Sequence, residues 1–164
     1  MDRPKGVMHP VTVHISKDEA GKYHFNPESD LWDDGREEFV FHKDDHGMRK
    51  HDYHLIEFVI DDETDEGLKF PKAPHDAMWV VQGHEEPGER TCPDMHSVSN
   101  YDVMEPISVS PRRRRLFVRN DNANKEHWAF TINFVKKGED PSDISSFVSW
   151  DPGGNNQNSG SNNA

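Results

Sequence analysis

The dipeptide Asp151–Pro152 carries the most specific chemistry in the sequence. An aspartate carboxylate can attack its own main-chain carbonyl and close a five-membered anhydride, with the proline nitrogen as the leaving group. The competing succinimide reaction needs an N–H on the following residue, and proline has none. Water would then open the anhydride and leave a new C-terminus at Asp151. The pair therefore predicts a peptide bond that the chain hydrolyses itself.

The leaving nitrogen of Pro152 must gain a proton, so the reaction needs a proton donor and groups that hold the attack geometry. We take Glu105 and Lys136 as the candidates for handling that proton. The sequence does not rank them above three other titratable residues, Glu126, His127 and Lys137.

A second pair of the same type, Asp140–Pro141, lies eleven residues earlier and serves as an internal comparison. Asp–Pro is also a common turn dipeptide, and most such bonds persist at neutral pH. Only position distinguishes the two pairs. Asp151 ends a predicted strand and precedes a polar tail, whereas Asp140 lies in a predicted connection between strands.

Four histidines, interspersed with aspartates, fall within thirteen residues: His42, His46, His51 and His54. Imidazole and carboxylate ligands suit zinc, nickel or copper. Their spacing matches no closed metal motif, so we interpret the segment as a solvated polar loop and expect no metal or other cofactor. Metal capture by these histidines is the alternative.

Two further motifs favour ordinary structure over a specialised site. Cys92, Met95 and His96 share the residue types of a blue-copper centre, but Met95 is too close to His96 for an axial ligand. The run Arg112–Arg115 with Arg119 resembles a nucleic-acid patch, but alternation along a strand would divide its charge between two faces. We interpret it as protection of a sheet edge or as a subunit contact.

The elements that must position the Asp151–Pro152 bond are strands. Apolar residues alternate at 11–15, 55–60 and 116–118, and most regularly at Trp128, Phe130, Ile132 and Phe134. Residues 145–150 look like the last strand. Eleven prolines and frequent turn signals separate these runs. The pattern predicts an all-β fold, an antiparallel β-sandwich or small β-barrel of seven to nine short strands.

The sequence predicts one β-domain over residues 1–150, with an acidic, loop-rich region at 28–66. Residues 151–164 contain five Asn, three Gly and no branched aliphatic side chain. Such a segment buries too little apolar surface to offset its ordering entropy, so we expect a flexible tail.

Composition narrows the function classes. The chain has 19 Lys and Arg against 31 Asp and Glu, a net charge of −12, which disfavours binding to nucleic acid or anionic membranes. One cysteine excludes an internal disulfide. Neither a signal peptide nor a membrane-spanning apolar run is recognisable, so we expect a cytoplasmic protein. Residues 28–66 carry a net charge of −11, which could complement the arginine run within one chain or between the subunits of a homo-oligomer.

Four segments resemble the bacterial DP-EP domain family: Met104–Pro106, Leu116–Asn120 (LFVRN), His127–Val135 (HWAFTINFV) and Ser149–Asn158 (SWDPGGNNQN). Glu105–Pro106 and Asp151–Pro152 match the two dipeptides in that name. The resemblance covers the C-terminal third of the chain and extends only loosely over the first hundred residues. It implies a small all-β protein whose Asp–Pro bond is cleaved within the molecule through an anhydride. This chain is longer than that pattern by the regions 28–66 and 82–102.

We therefore expect a self-processing domain that hydrolyses its own Asp151–Pro152 bond and releases the tail. This would be a single-turnover autoproteolysis without turnover on external substrates. The alternative is a non-catalytic β-sandwich that self-associates or binds another protein, with Asp151–Pro152 as a plain turn.

Overall fold

A computed structural model of the chain describes residues 5–41, 48, 52–82, 101, 104–121 and 126–156. These residues form two sheets, one helix of a single turn, α1 (Pro74–Ala77), and a 3₁₀ turn at Ile144–Ser146. The strands are β1 (Gly6–Lys17), β2 (Tyr23–Glu28), β3 (Trp32–Asp33), β4 (Glu38–Phe41), β5 (Tyr53–Asp62), β6 (Met78–Gln82), β7 (Met104–Val109), β8 (Arg115–Asn120), β9 (Glu126–Phe134), β10 (Val148–Trp150) and β11 (Gly153–Asn156).

The first sheet has the strand order β2-β1-β5-β8-β7. Its long strands β1 and β5 alternate buried and more exposed residues with period two, as expected for strands with one face against a core. They pair in parallel over ten residues, whereas β1–β2, β5–β8 and β7–β8 are antiparallel.

The second sheet has the order β10-β9-β11-β4-β3, and β6 pairs with the other side of β9. Strand β9 is therefore central, with β6 on one side and β10 followed by β11 on the other. Within the second sheet, β11 and β4 pair in parallel, and all other described strand pairs are antiparallel. The position of β9 matters for function because the link between β10 and β11 contains the Asp151–Pro152 bond.

Aromatic side chains from both sheets meet in the layer between them. Phe39 of β4 is 1% exposed, and its ring centroid lies 5.8 Å from that of Phe58 on the first sheet. It lies 6.0 Å from the rings of both Phe130 and Trp150. Edge-to-face and offset ring pairs at these distances are favourable in addition to the apolar area that they bury. The face-to-face packing makes the molecule a β-sandwich.

The all-β prediction is confirmed, and several details differ from the sequence expectation. Neither sheet closes into a barrel within the described residues, and two strand pairs are parallel. The described residues alone form eleven strands, whereas the sequence predicted seven to nine. The additional strands include β3, of two residues, and β11, which is made of Gly and Asn. Such segments carry no period-two apolar signal.

The second sheet extends beyond residue 150, where we expected the domain to end and the tail to begin. Residues 153–156 form β11 and pair with two strands, so the sheet continues past Trp150. Backbone pairing stabilises this segment, which a composition argument cannot detect. Residues 157–164 lie outside the described residues.

The described residues of the acidic region 28–66 include β3, β4 and the central strand β5. Part of its charge pairs with the arginine run inside the chain: Arg115 Nη1 lies 2.7 Å from Glu57 Oε2. Arg119 instead bonds Asp121 and lies over the Tyr53 ring, 3.8 Å from its centroid. In the described part of the chain, no helix has the length and apolarity needed to cross a membrane.

We expect Phe39→Ala to lower the free energy of unfolding by about 3–5 kcal/mol, because the lost ring leaves a cavity between the two sheets. Ile107→Ala is the matched control, since Ile107 is 50% exposed, and it should change stability by less than about 0.5 kcal/mol. Urea denaturation followed by tryptophan fluorescence measures both. Equal effects would contradict the core assignment.

Candidate functional site

Strands β10 and β11 run against β9 in a single unbroken register. Trp150 is opposite Ile132, and Gly153 is opposite Ala129. The two residues between them therefore match Thr131 and Phe130 without any insertion. The Phe130 N–H donates a hydrogen bond to the Pro152 carbonyl oxygen at 3.2 Å, which continues the ladder across the link.

Proline explains why the strand is divided at this point. Pro152 has no N–H to donate to β9, so one hydrogen bond of the ladder is missing there. Before it, β10 pairs with β9 alone among the described strands, whereas β11 lies between β9 and β4. The Asp151–Pro152 bond thus lies where the chain passes from an edge position to an interior position of the sheet.

The carboxylate of Asp151 is held across the strands by Thr131. The Thr131 hydroxyl donates a hydrogen bond to Asp151 Oδ1 at 2.8 Å. Thr131 is 1% exposed, whereas Asp151 is exposed. This hydrogen bond fixes the position of the Asp151 side chain relative to β9. Exposure leaves the same group accessible to water.

Thr131 belongs to a polar row on the face of the sheet that points away from the inter-sheet core. The neighbouring β9 residues Phe130 and Ile132 point into the core, so Thr131 points the other way. Its register partner on β6 is Trp79. Across β6, β9 and the β10–β11 link, the row therefore reads Trp79, Thr131, Asp151. The Trp79 indole N–H is buried and has no hydrogen-bond partner among the described residues.

Asn133, two residues further along the same face, fixes the position of β10 and α1 against β9. It is fully buried, donates from Nδ2 to the Asp76 carbonyl oxygen at 2.8 Å and accepts from Ser149 Oγ at 2.7 Å. Because Ser149 precedes Asp151 by two residues, this bond helps to hold the strand that leads to Asp151.

The structure brings together Asp151, Pro152 and β9, but neither of the two candidate proton donors. Lys136 lies beyond the end of β9, about 15 Å along the strand direction from Thr131, and its Nζ is 3.9 Å from Glu66. Glu105 lies on β7 in the other sheet, 3.8 Å from His75 Nε2. Sequence pattern does not show which strands are neighbours, so it could not separate these residues from the site.

The three other residues considered as proton donors lie along the chain on either side of Thr131. Glu126 and His127 pair through their backbones with Asn156 and Asn155 of β11. Lys137 lies in the turn after β9, where its N–H bonds the Glu66 carbonyl oxygen. Trp79, Thr131 and Asn133 were not recognised from the sequence. One signal in the sequence could have indicated them: Thr131 and Asn133 alternate with the apolar residues of β9 and therefore face away from the predicted core.

The comparison pair Asp140–Pro141 has a different environment. Its carboxylate oxygen Oδ1 accepts hydrogen bonds from the Ser142 N–H at 2.9 Å and the Ser142 hydroxyl at 2.8 Å. The bond from the Ser142 N–H, followed by the bond from its hydroxyl, holds the pKa of Asp140 below its usual value. The Asp140 carbonyl oxygen accepts from Asp143 N–H within the same turn. A tight local turn therefore engages both groups that would have to react.

Of the four histidines considered as metal ligands, His54 alone falls on described residues. It is fully buried on β5, and its Nδ1 lies 2.9 Å from Nε2 of His9 on the adjacent strand β1. No group of three or more potential metal ligands occurs in the part of the chain that the structure describes. His42, His46 and His51 lie outside it, as do Cys92, Met95 and His96.

A separate charged cluster surrounds Glu66. Lys17 donates to Glu66 Oε1 at 2.5 Å, and the Tyr23 hydroxyl donates to Oε2. Partial burial opposes ionisation of Glu66, but the bonds from Lys17 and Tyr23 outweigh it and lower the pKa of that carboxyl. Burial and the bond to Glu66 raise the pKa of the Tyr23 phenol. This cluster joins the end of β1, β2 and the turn after β5.

No protein-family model matches this chain, and no curated protein matches it.

We expect Asn133→Ala to lower the free energy of unfolding by about 1–3 kcal/mol, because it removes both hydrogen bonds of a fully buried side chain, to the Asp76 carbonyl oxygen and from Ser149. Ser149→Ala removes only one of these two bonds and leaves the bond to Asp76 in place, so it should cost less, about 1 kcal/mol. Chemical denaturation of both variants measures the difference. A larger loss for Ser149→Ala would contradict the assigned roles.

Glu66→Gln tests the charged cluster through pH dependence. Because the folded-state pKa of Glu66 is lowered, its contribution to stability is present above the unfolded pKa of about 4.3 and is lost as pH falls through the folded value. The variant should therefore be less stable than the parent chain at pH 7, with a smaller loss on acidification. Glu139→Gln, at an exposed position, is the control. Identical pH profiles for parent and Glu66→Gln would contradict the cluster's contribution.

Proposed function

We propose that this chain is a self-processing β-domain that hydrolyses its own Asp151–Pro152 peptide bond through a cyclic aspartic anhydride. The observation that carries the proposal is the 2.8 Å hydrogen bond from Thr131 to the Asp151 carboxylate, at a peptide bond flanked on both sides by pairing with β9. The resemblance of the segments around Glu105–Pro106 and Asp151–Pro152 to the DP-EP domain family supports the same chemistry.

The sheet restricts the motion of both sides of the bond. On the acyl side, Trp150 is buried in the core and paired with Ile132. On the amine side, the Pro152 carbonyl is bonded to Phe130, and the next residues pair with two strands. Restricting these groups before reaction removes part of the entropic barrier to ring closure, an effect of several kcal/mol in well-oriented systems.

The steps follow from the contacts of Asp151. With Oδ1 held by Thr131, the other carboxylate oxygen, Oδ2, attacks the Asp151 carbonyl carbon. The C–N bond then breaks, and its electron pair, with a proton, stays on the Pro152 nitrogen. Water opens the anhydride and gives two carboxyl groups at Asp151. The exposure of Asp151 allows solvent to supply both the proton and the water.

Asp140–Pro141 should stay intact under the same conditions. Its carboxylate would have to give up two hydrogen bonds to Ser142 before turning to its own carbonyl. The chain therefore contains a matched bond with the same two residues in an unreactive setting.

The mass of the intact chain, followed over days at pH 5 and pH 7, tests the proposal. We expect fragments of 151 and 13 residues, formed faster at the lower pH because the nitrogen must be protonated. Asp151→Asn should abolish them, because an amide cannot form the anhydride. Asp140→Asn is the control and should leave their formation unchanged.

Thr131→Val tests whether the hydrogen bond from Thr131 accelerates cleavage beyond the intrinsic reactivity of an Asp–Pro bond. Loss of the hydroxyl should slow cleavage about tenfold, equivalent to about 1.4 kcal/mol, while the fold persists. Full-length mass in the parent chain throughout the experiment would contradict self-processing and favour the non-catalytic, self-associating β-sandwich. Equal cleavage at Asp140–Pro141 would also contradict the role of the fold.

A further inference from the structure

Strand β11 occupies an interior position in the second sheet although its residues are poor strand formers. It pairs in parallel with β4, Gly153 to Glu38 through Asn156 to Phe41, and antiparallel with β9. Interior strands are usually rich in β-branched and aromatic residues, whereas β11 reads Gly-Gly-Asn-Asn. Its attachment therefore depends mainly on main-chain hydrogen bonds to two neighbours.

The register shows where side chains are missing. Gly154 is the partner of Phe39 on β4 and of Trp128 on β9. Register partners share a face of the sheet, and Phe39 faces the core. At Gly154, next to the core residue Phe39, β11 therefore contributes main-chain atoms but no side chain. Strands β4 and β9 thus form a two-sided slot that accepts an extended, glycine-containing segment.

The Asp151–Pro152 bond lies immediately before this slot. Hydrolysis there would leave residues 152–164 as a separate peptide of thirteen residues whose first part still lies between β4 and β9. The Pro152 carbonyl would keep its hydrogen bond to the Phe130 N–H. Cleavage of a peptide bond does not by itself break any of the pairings of β11.

We propose that the slot between β4 and β9 is a peptide-binding site for the C-terminal segment of this chain. The segment occupies the slot within its own chain before hydrolysis and as a detached peptide afterwards, so that cleavage yields a complex and not a free tail. The second part of this statement rests on the proposed function, whereas the slot itself does not. Addition of a strand to exposed sheet edges is an established way for proteins to bind extended peptides.

The first test uses the full chain carrying Asp151→Asn, so that no cleavage intervenes. Asn155→Pro removes a main-chain donor from a strand that has neighbours on both sides and should empty the slot. A fluorescent synthetic peptide of residues 152–164 should then bind, measured as a rise in anisotropy. It should not bind the chain without Asn155→Pro, nor the control with Asn162→Pro, which lies beyond β11. A peptide that itself contains the Asn155→Pro change should not bind either.

The absence of peptide binding to a folded Asn155→Pro variant would overturn the proposal. If that variant does not fold, hydrogen exchange of the Asp151→Asn chain decides. The amides of residues 154–156 should exchange at least about tenfold more slowly in the chain than in the free synthetic peptide of residues 152–164. Equal rates would overturn the proposal.

Native mass spectrometry of the aged parent chain separates the two proposals. A complex of both fragments supports both. Cleavage with immediate loss of the thirteen-residue peptide supports self-processing and overturns retention in the slot. An intact chain contradicts self-processing, while the peptide-binding result still decides the slot.

Discussion

The continuous register between β9 and residues 148–156 is the constraint on which the site depends. A proline in the middle of this run removes one ladder hydrogen bond, yet the pairing resumes beyond it with no residue inserted. The Phe130–Pro152 bond and the Thr131–Asp151 bond both follow from that register. A shift by one residue would turn Asp151 towards the core and remove its contact with Thr131.

The core supports this register from the other face of the sheet. Trp150, the residue before Asp151, packs against rings of both sheets, including Phe25 at 5.9 Å and Phe39 at 6.0 Å. On the opposite face, Asn133 binds β10 through Ser149. The strand that carries Asp151 is therefore held on one side by apolar packing and on the other by buried hydrogen bonds. Asp151 itself is exposed, although its neighbours Trp150, Pro152 and Thr131 are buried.

Sequence patterns predicted those strands whose position is determined by their own residues. The alternation of Phe130, Ile132 and Phe134 correctly gave β9 and its core face, because burial on one face produces period two. The pairing of β11 could not be predicted, since its neighbours and not its Gly and Asn residues place it in the sheet. For the same reason the sequence did not point to Thr131 and Trp79 as neighbours of Asp151, whereas Asp151 and Pro152 were proposed from the chemistry of the dipeptide itself. The sequence did not rank Lys136 and Glu105 as proton donors, because it gives no distances between strands.

The parallel pair β4–β11 joins residues about 115 positions apart, near opposite ends of the described chain. Contacts between such distant segments form late, because closing a long loop costs entropy before any pairing compensates it. During synthesis on a ribosome, β4 is made more than one hundred residues before β11. The second sheet consequently stays incomplete until residues 153–156 have been made and can pair with β4 and β9. The surroundings of Asp151 are therefore assembled only after the segment that follows it has been added.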